Sequence, residues 1–301
     1  MPMNLNRRGF LGTAAVAAGF SFDTRPLKAW MKTNETVIPK PASLRPPMGR
    51  IGKREVSRLI CGGNLFSGFA HSGNLLYVAD VLKHYFTDEK ILETLQLCEQ
   101  SGINTTILRT DDHIVSILKR YRKERGGKIQ WIAQTYPKVD NLKDNIKLAI
   151  DNGAVGAYAQ GGIADTFVKD GKLDLVAEVV SFIKQNGLLA GIGSHSMETP
   201  IRAEQQKIDP DFYFKTINSV GYESQEVRDV AALMKTVRKP WIAFKVLGAG
   251  RLQPKDGFDL AFKSGADFVN VGMYDFQVEQ NVGLVQEAAL THEKRERTWM
   301  V

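Results

Sequence analysis

The chain has 301 residues, 43% of them hydrophobic and 24% charged, a globular balance that excludes a disordered, collagenous or coiled-coil polypeptide. Two cysteines exclude a disulfide scaffold or a multi-cysteine metal cluster, and no apolar run reaches the ~20 residues needed to cross a bilayer. The formal charge of +7 is uneven: residues 1–57 hold ten Lys/Arg and three Asp/Glu, so the remainder is neutral. A neutral body lacks the cationic footprint that tracks phosphates, which sets nucleic acid aside as a partner.

The first 22 residues read as a leader. Arg7-Arg8-Gly9-Phe10-Leu11 precedes a weakly apolar stretch from Thr13 to Phe22, with Ala15-Val16-Ala17 as a cleavage candidate. This segment resembles a twin-arginine signal peptide. The resemblance implies passage through the twin-arginine export machinery to a periplasmic or otherwise exported location. Residues 23–50 are rich in Pro, Lys and Arg and have no period, so they read as an extended arm.

From residue 51 to 301 the chain reads as one domain that alternates between two periods. Eight short apolar runs have the length of strands buried on both faces: Leu59–Cys61, Thr105–Leu108, Ile129–Thr135, Val155–Ala159, Leu188–Ile192, Phe212–Ile217, Trp241–Val246 and Phe268–Val271. Amphipathic helices lie between them, as in Val176, Val179, Val180 and Ile183 at i, i+3, i+4, i+7. Glycines such as Gly102, Gly153 and Gly187 stop the helices shortly before the next strand. Eight such units predict an α/β fold of the closed (β/α)8 TIM-barrel type. An open doubly wound sheet would show a G-x-G-x-x-G turn after the first strand, and none is present. Cys61 and Cys98 fall on a strand and a helix and are expected to be buried and unbridged.

In such a barrel the chemistry sits at the carboxyl ends of the strands. Read in order, these ends present Asn64; Arg109 with Asp111 and Asp112; Gln134, Tyr136 and Lys138; Gln160; Ser194 and His195; Lys215 and Asn218; Lys245; then Tyr274 and Asp275. Lysines on adjacent strands snorkel to solvent, bind anions or carry a depressed pKa. Residues 64–86 form an unusually long first βα connection, read either as a lid over a pocket or as an extra helix from Leu75 to His84. His71 and His195 with Asp111 or Asp112 offer metal-ligand chemistry, but no spacing fixes a set, so a metal is not expected.

Several segments, in order, resemble the aldo/keto reductase superfamily: CEQSGINTT, GKLDLVAEVVSFIKQNGLLAGIGSHS, KPWIAFKVLGAGRL and SGADFVNVGMYDFQVEQNV. The similarity runs with gaps from about residue 56 to 290. It implies an oxidoreductase acting on a carbonyl or sugar-like molecule, with NADP as the possible cofactor. The four catalytic positions of that family depart. Its Asp falls on Ile107, its Lys on Tyr136 and its His on Gln160, and its Tyr has no counterpart. Tyr136 is therefore expected as the proton donor, Lys138, Gln160 and His195 as polarising or orienting groups, and Asn64, Arg109 and Lys245 as substrate-binding groups, the last two for an anionic moiety. The cofactor positions carry over onto Leu247, Gly248, Gly250, Arg251, Gly272, Met273, Gln277, Gln280 and Asn281. Two other readings stand beside this one: a Schiff-base lyase or aldolase using Lys215 with Lys245 as its neighbouring cation, or a small-molecule-binding barrel without chemistry.

Overall fold

The computed structural model describes residues 44–69, 75 and 77–300. The leader, most of the arm and His71 lie outside the described residues. Strands β1 (Met48–Ile51) and β2 (Arg54–Ser57) form an antiparallel hairpin in which Met48 pairs with Ser57 and Ile51 with Arg54. The arm expected to run to residue 50 thus becomes a strand at Met48. The cause is local: Ile51 and Val56 are almost wholly buried against Ile60, Ile107, Phe212 and Phe268, so the hairpin plugs the amino-terminal end of a barrel.

The barrel is closed and has eight parallel strands: β3 (Leu59–Gly62), β4 (Thr105–Arg109), β5 (Gln130–Thr135), β6 (Gly156–Ala159), β7 (Leu189–Ser194), β8 (Phe212–Thr216), β9 (Trp241–Phe244) and β10 (Phe268–Gly272). Each strand pairs with the next, and β10 returns to β3 with Val269 opposite Leu59 and Gly272 opposite Gly62. All eight runs read from the sequence are strands, with ends shifted by a residue or two.

The helices are α1 (Val78–Tyr85), α2 (Asp88–Gln100), α3 (Asp112–Arg125), α4 (Asp144–Asp151), α5 (Gly161–Lys169), α6 (Leu173–Gln185), α7 (Glu198–Gln205), α8 (Val227–Thr236), α9 (Pro254–Lys263) and α10 (Val278–Thr291), with a 3₁₀ turn at Asp275–Gln277. The extra helix expected in the first βα connection is α1, beginning three residues later than Leu75. Cys61 and Cys98 are buried and unbridged.

Successive strand residues face opposite sides, and the core divides accordingly. Ile107, Ile132, Tyr158, Phe212, Phe214, Ile242, Phe244 and Phe268 fill the barrel interior. Leu108, Trp131, Ala133, Ala157, Tyr213, Trp241 and Val269 face the helices. Gly191 on β7 makes room for this filling: a Cβ there would stand 2.3 Å from the Phe212 ring.

At the amino-terminal end, Asp267 is buried and accepts from four groups. Arg295 Nη2 and Arg297 Nη1 donate at 3.0 and 2.6 Å, and the amides of Trp241 and Met300 at 2.9 Å. Arg58 Nη1 donates to the Asp267 carbonyl at 2.8 Å, and the Arg58 and Arg295 guanidiniums stack on Trp299. The carboxyl-terminal segment is thereby fastened beneath the barrel.

Candidate active site

A cavity of about 1140 Å³ opens at the carboxyl ends of the strands, the end at which this architecture places its chemistry. Its floor is the top layer of the barrel interior: Tyr158, Phe214 and Phe244, with the Phe214 and Phe244 rings stacked at 4.0 Å between centroids and the His195 ring edge-on to Phe244 at 5.3 Å between centroids. Strand parity brings Arg109, Gln134, Tyr136, Gln160 and Asn270 to the same space; Lys245, one residue past β9 and out of phase with Phe244, reaches it where its φ of +56° turns the chain. Leu65, Phe69, Val78 and Leu82 of the long first connection wall one side.

A line of charged groups runs along one edge. The Asp165 carboxylate, on the second turn of α5, accepts from the His195 amide at 2.7 Å, the Ser196 amide at 3.2 Å and Thr199 Oγ1 at 2.6 Å. It also stands 3.2 Å from His195 Nδ1. Burial raises the Asp165 pKa, but the hydrogen bonds from the His195 ring, Thr199 and the two amides outweigh it and hold the group below the ordinary aspartate value. An ionised carboxylate only accepts, so Nδ1 carries the proton and Nε2 is the atom left to exchange one. Nε2 faces Glu223 at 3.3 Å, and Glu223 in turn pairs with Lys245 Nζ. The sequence reading did not find Asp165 or Glu223. Asp165 sits inside a helix and Glu223 in a loop, where either residue type is usually a solvated surface charge.

Tyr136 lies on the floor with its hydroxyl donating to Gln134 Oε1 at 3.1 Å. Burial pushes its pKa up and Asp111 adds to that, while Arg109 opposes it. The ammonium partner expected for it does not arrive. Lys138 is exposed outside the cavity, its backbone closing a small bridge with Asn141 at 3.0 Å in both directions. The cation beside Tyr136 is instead Arg109, whose guanidinium lies 5.1 Å from the centre of the phenol ring and draws its pKa down by less than burial raises it. The Tyr158 hydroxyl is buried beside Gln134 and has no well-formed hydrogen bond, and Asn270 Oδ1 is likewise buried without a partner.

The two cations expected to hold an anionic moiety already face carboxylates. Arg109 Nε is 2.6 Å from Asp111, and its guanidinium lies between the Phe69 and Tyr136 rings. Lys245 is taken by Glu223. Asp111 also caps α3 by accepting from the Ile114 amide at 2.9 Å, which accounts for it without a metal. Among the described residues, no cluster of three His, Cys, Asp or Glu is placed to hold a metal ion.

Lys215 is outside the cavity. Phe214 points inward, so parity sends Lys215 to the helix side, where it is wholly buried. Its Nζ donates to the His195 carbonyl at 2.7 Å, Thr216 Oγ1 at 2.9 Å, Gln225 Oε1 at 3.1 Å and the Thr216 carbonyl at 3.3 Å. A Schiff base there would be shut off from any substrate in the barrel mouth, so the lyase reading on Lys215 fails on geometry. Burial pulls the amine down to about 7, against a small upward pull from Asp165.

Between about pH 7 and the ordinary lysine value of 10.5, the unfolded chain therefore holds more of this proton than the folded one, and folding stability rises with pH. We expect wild type to gain about 2 kcal/mol over Lys215→Met between pH 7.5 and 9.5, read from urea midpoints at fixed ionic strength. A wild-type and variant pair with the same pH slope would contradict this.

Of the positions carried over for a cofactor, Leu247, Gly250, Gly272 and Gln277 line the cavity, joined by Gly62, Gly63 and Ala249. Gly248, Arg251, Met273, Gln280 and Asn281 do not. Met273 and Asn281 are buried in the barrel wall, Gln280 faces solvent, and the Arg251 guanidinium lies 4.5 Å over the Tyr222 ring. Asn64 lines the cavity as expected.

No family profile and no curated protein sequence matches the chain. Solved structures do. A protein described as an aldo-keto reductase of Pseudomonas aeruginosa superimposes with a TM-score of 0.59 at 17% identity, over 81% of this chain and 95% of that one. The holo form of an aldo-keto reductase from Bacillus halodurans gives 0.57 at 13% identity, over 80% and 91%. A Gox0644 variant in complex with NADPH gives 0.56 at 7% identity, over 82% and 93%. The fold is an aldo/keto-reductase-like (β/α)8 barrel. At these identities the likeness concerns the fold alone; Ile107, Tyr136 and Gln160 all line the cavity.

Proposed function

We propose that the cavity is the active site of an oxidoreductase acting on the carbonyl of a neutral, sugar-like small molecule, with His195 as the proton-transfer group. The carrying observation is the line Asp165–His195–Glu223–Lys245 beside a floor of Gln134, Tyr136, Tyr158, Gln160 and Asn270. Asp165 fixes the imidazole through Nδ1, and Nε2 holds the proton passed to or from the substrate oxygen. The amides and phenols around it supply the donors and acceptors that a polyhydroxylated molecule needs. Arg109 and Lys245 are matched by Asp111 and Glu223, which favours an uncharged substrate beside His195 over an anionic one.

NADP(H) is the proposed cofactor, and the residues present fit it. Gly62 and Gly272 stand opposite each other on β3 and β10 and both line the cavity. Without side chains they leave the backbone open to a ligand at that rim. Asn270 Oδ1, buried and without a partner, lines the same cavity and would accept a hydrogen bond from it. Gly62, Leu247, Gly250, Gly272 and Gln277 would hold the cofactor, which when bound supplies or accepts a hydride.

The test is NADPH consumption by the purified full chain against neutral aldoses and ketoses and against matched uronic acids and sugar phosphates. Turnover confined to the neutral set is expected. No consumption with any carbonyl, or a preference for the anionic set, would contradict the reading; saturable sugar binding without turnover would make the barrel a binding protein.

A further inference from the structure

The contact between His195 and Glu223 joins two separate loops, one after β7 and one after β8. Its geometry depends on what fixes those loops. Glu223 has a φ of +45°, the left-handed region that side-chain-bearing residues occupy only when their surroundings hold them there. Two pins flank it. On one side buried Asn218 closes a turn, its Oδ1 accepting from the Tyr222 amide at 2.9 Å and its Nδ2 donating to the Tyr222 carbonyl at 2.8 Å. On the other side Gln225 Oε1 accepts from Lys215 Nζ at 3.1 Å.

Lys215 is the point at which the two loops meet. The same ammonium that holds Gln225 donates to the His195 carbonyl at 2.7 Å. It does so from beneath the loops, on the helix side of β8, where it touches no carboxylate among the described residues. The titratable group that acts on it from a neighbouring element is Asp165 on α5. On its own strand the nearest is Tyr213, which donates to Glu204 at 2.7 Å. A fully buried amine aimed at four oxygen acceptors is a costly device, and no neutral aliphatic side chain could make the same ties.

We propose that Lys215 is a positioning residue: it ties the His195 loop to the Glu223 loop and so sets the His195–Glu223 contact. The inference rests on the reading that these two residues act as a pair. Its test uses no turnover, so a failure to find a carbonyl substrate leaves it untouched.

The experiment is ¹⁵N spectroscopy of the histidine rings in the full chain, with the His195 signals assigned by their loss in His195→Gln. Glu223→Gln gives the spectrum of a His195 without its partner. Lys215→Met and Gln225→Leu are each expected to shift both ring-nitrogen signals of His195 toward those of Glu223→Gln. The signals of His113 and His292 stay in place. Gln225 is exposed, so that variant folds even if Lys215→Met does not. His195 signals identical to wild type in a folded Lys215→Met or in Gln225→Leu would overturn the proposal.

Discussion

Asp267→Asn is expected to destabilise the fold by about 3–5 kcal/mol, a fifth or more of the 5–15 kcal/mol typical of a domain. The reason is an imbalance of buried charge. Arg295 and Arg297 converge on this one carboxylate, Arg58 donates to the carbonyl of the same residue, and Asp267 is 1% exposed. Burial, with the nearby Arg297 and Arg58 charges adding to it, lowers the Arg295 guanidinium to about 10 against the pull of Asp267. The amide side chain keeps the shape but removes the compensating charge, and an uncompensated buried cation costs several kcal/mol. Urea unfolding at pH 7 reads the loss. Because the cluster lies at the end of the barrel opposite the cavity, activity per folded molecule should be unchanged. A loss below about 1 kcal/mol would mean that backbone carbonyls, not Asp267, satisfy the arginines.

His195→Asn is expected to lower kcat by about 10²–10⁴-fold with little change in KM, since the ring is proposed to act on a proton in the transition state rather than to hold the substrate. Glu223→Gln should give a smaller loss, because it leaves the imidazole and its Asp165 partner in place. Steady-state kinetics with the substrate found in the carbonyl panel decides both. An unchanged kcat in His195→Asn would return the donor role to Tyr136.

The barrel was legible because its strands are buried on both faces. Runs such as Phe212–Ile217 and Trp241–Val246 carry apolar residues with little interruption, and the stops between them are glycines. The hairpin at Met48–Ser57 was not legible: each strand has four residues, and charges at Arg50, Lys53, Arg54 and Glu55 hide its two buried apolar side chains, Ile51 and Val56.

The site divides in the same way. Strand-end residues such as Tyr136 and Gln160 reach the cavity because the architecture sends them there. Lys215 stands at a strand end like the others, but Phe214 takes the inward face of β8, so parity turns the lysine away from the cavity. Asp165 and Glu223 acquire meaning only through His195, which lies 30 and 28 residues away along the chain, and no local pattern links them. Lys138 stands two positions past Tyr136, and the turn to Asn141 carries it away from the cavity.

Carbethoxylation by diethyl pyrocarbonate, mapped by peptide mass spectrometry with and without saturating NADPH, tests most directly whether His195 shares one space with the cofactor groove. His113 serves as the control: it lies on α3, half exposed against Asp88 and outside the cavity lining. The account predicts that His195 is modified in the free protein and protected by NADPH, while His113 reacts equally in both. Equal modification of His195 with and without the nucleotide would contradict it.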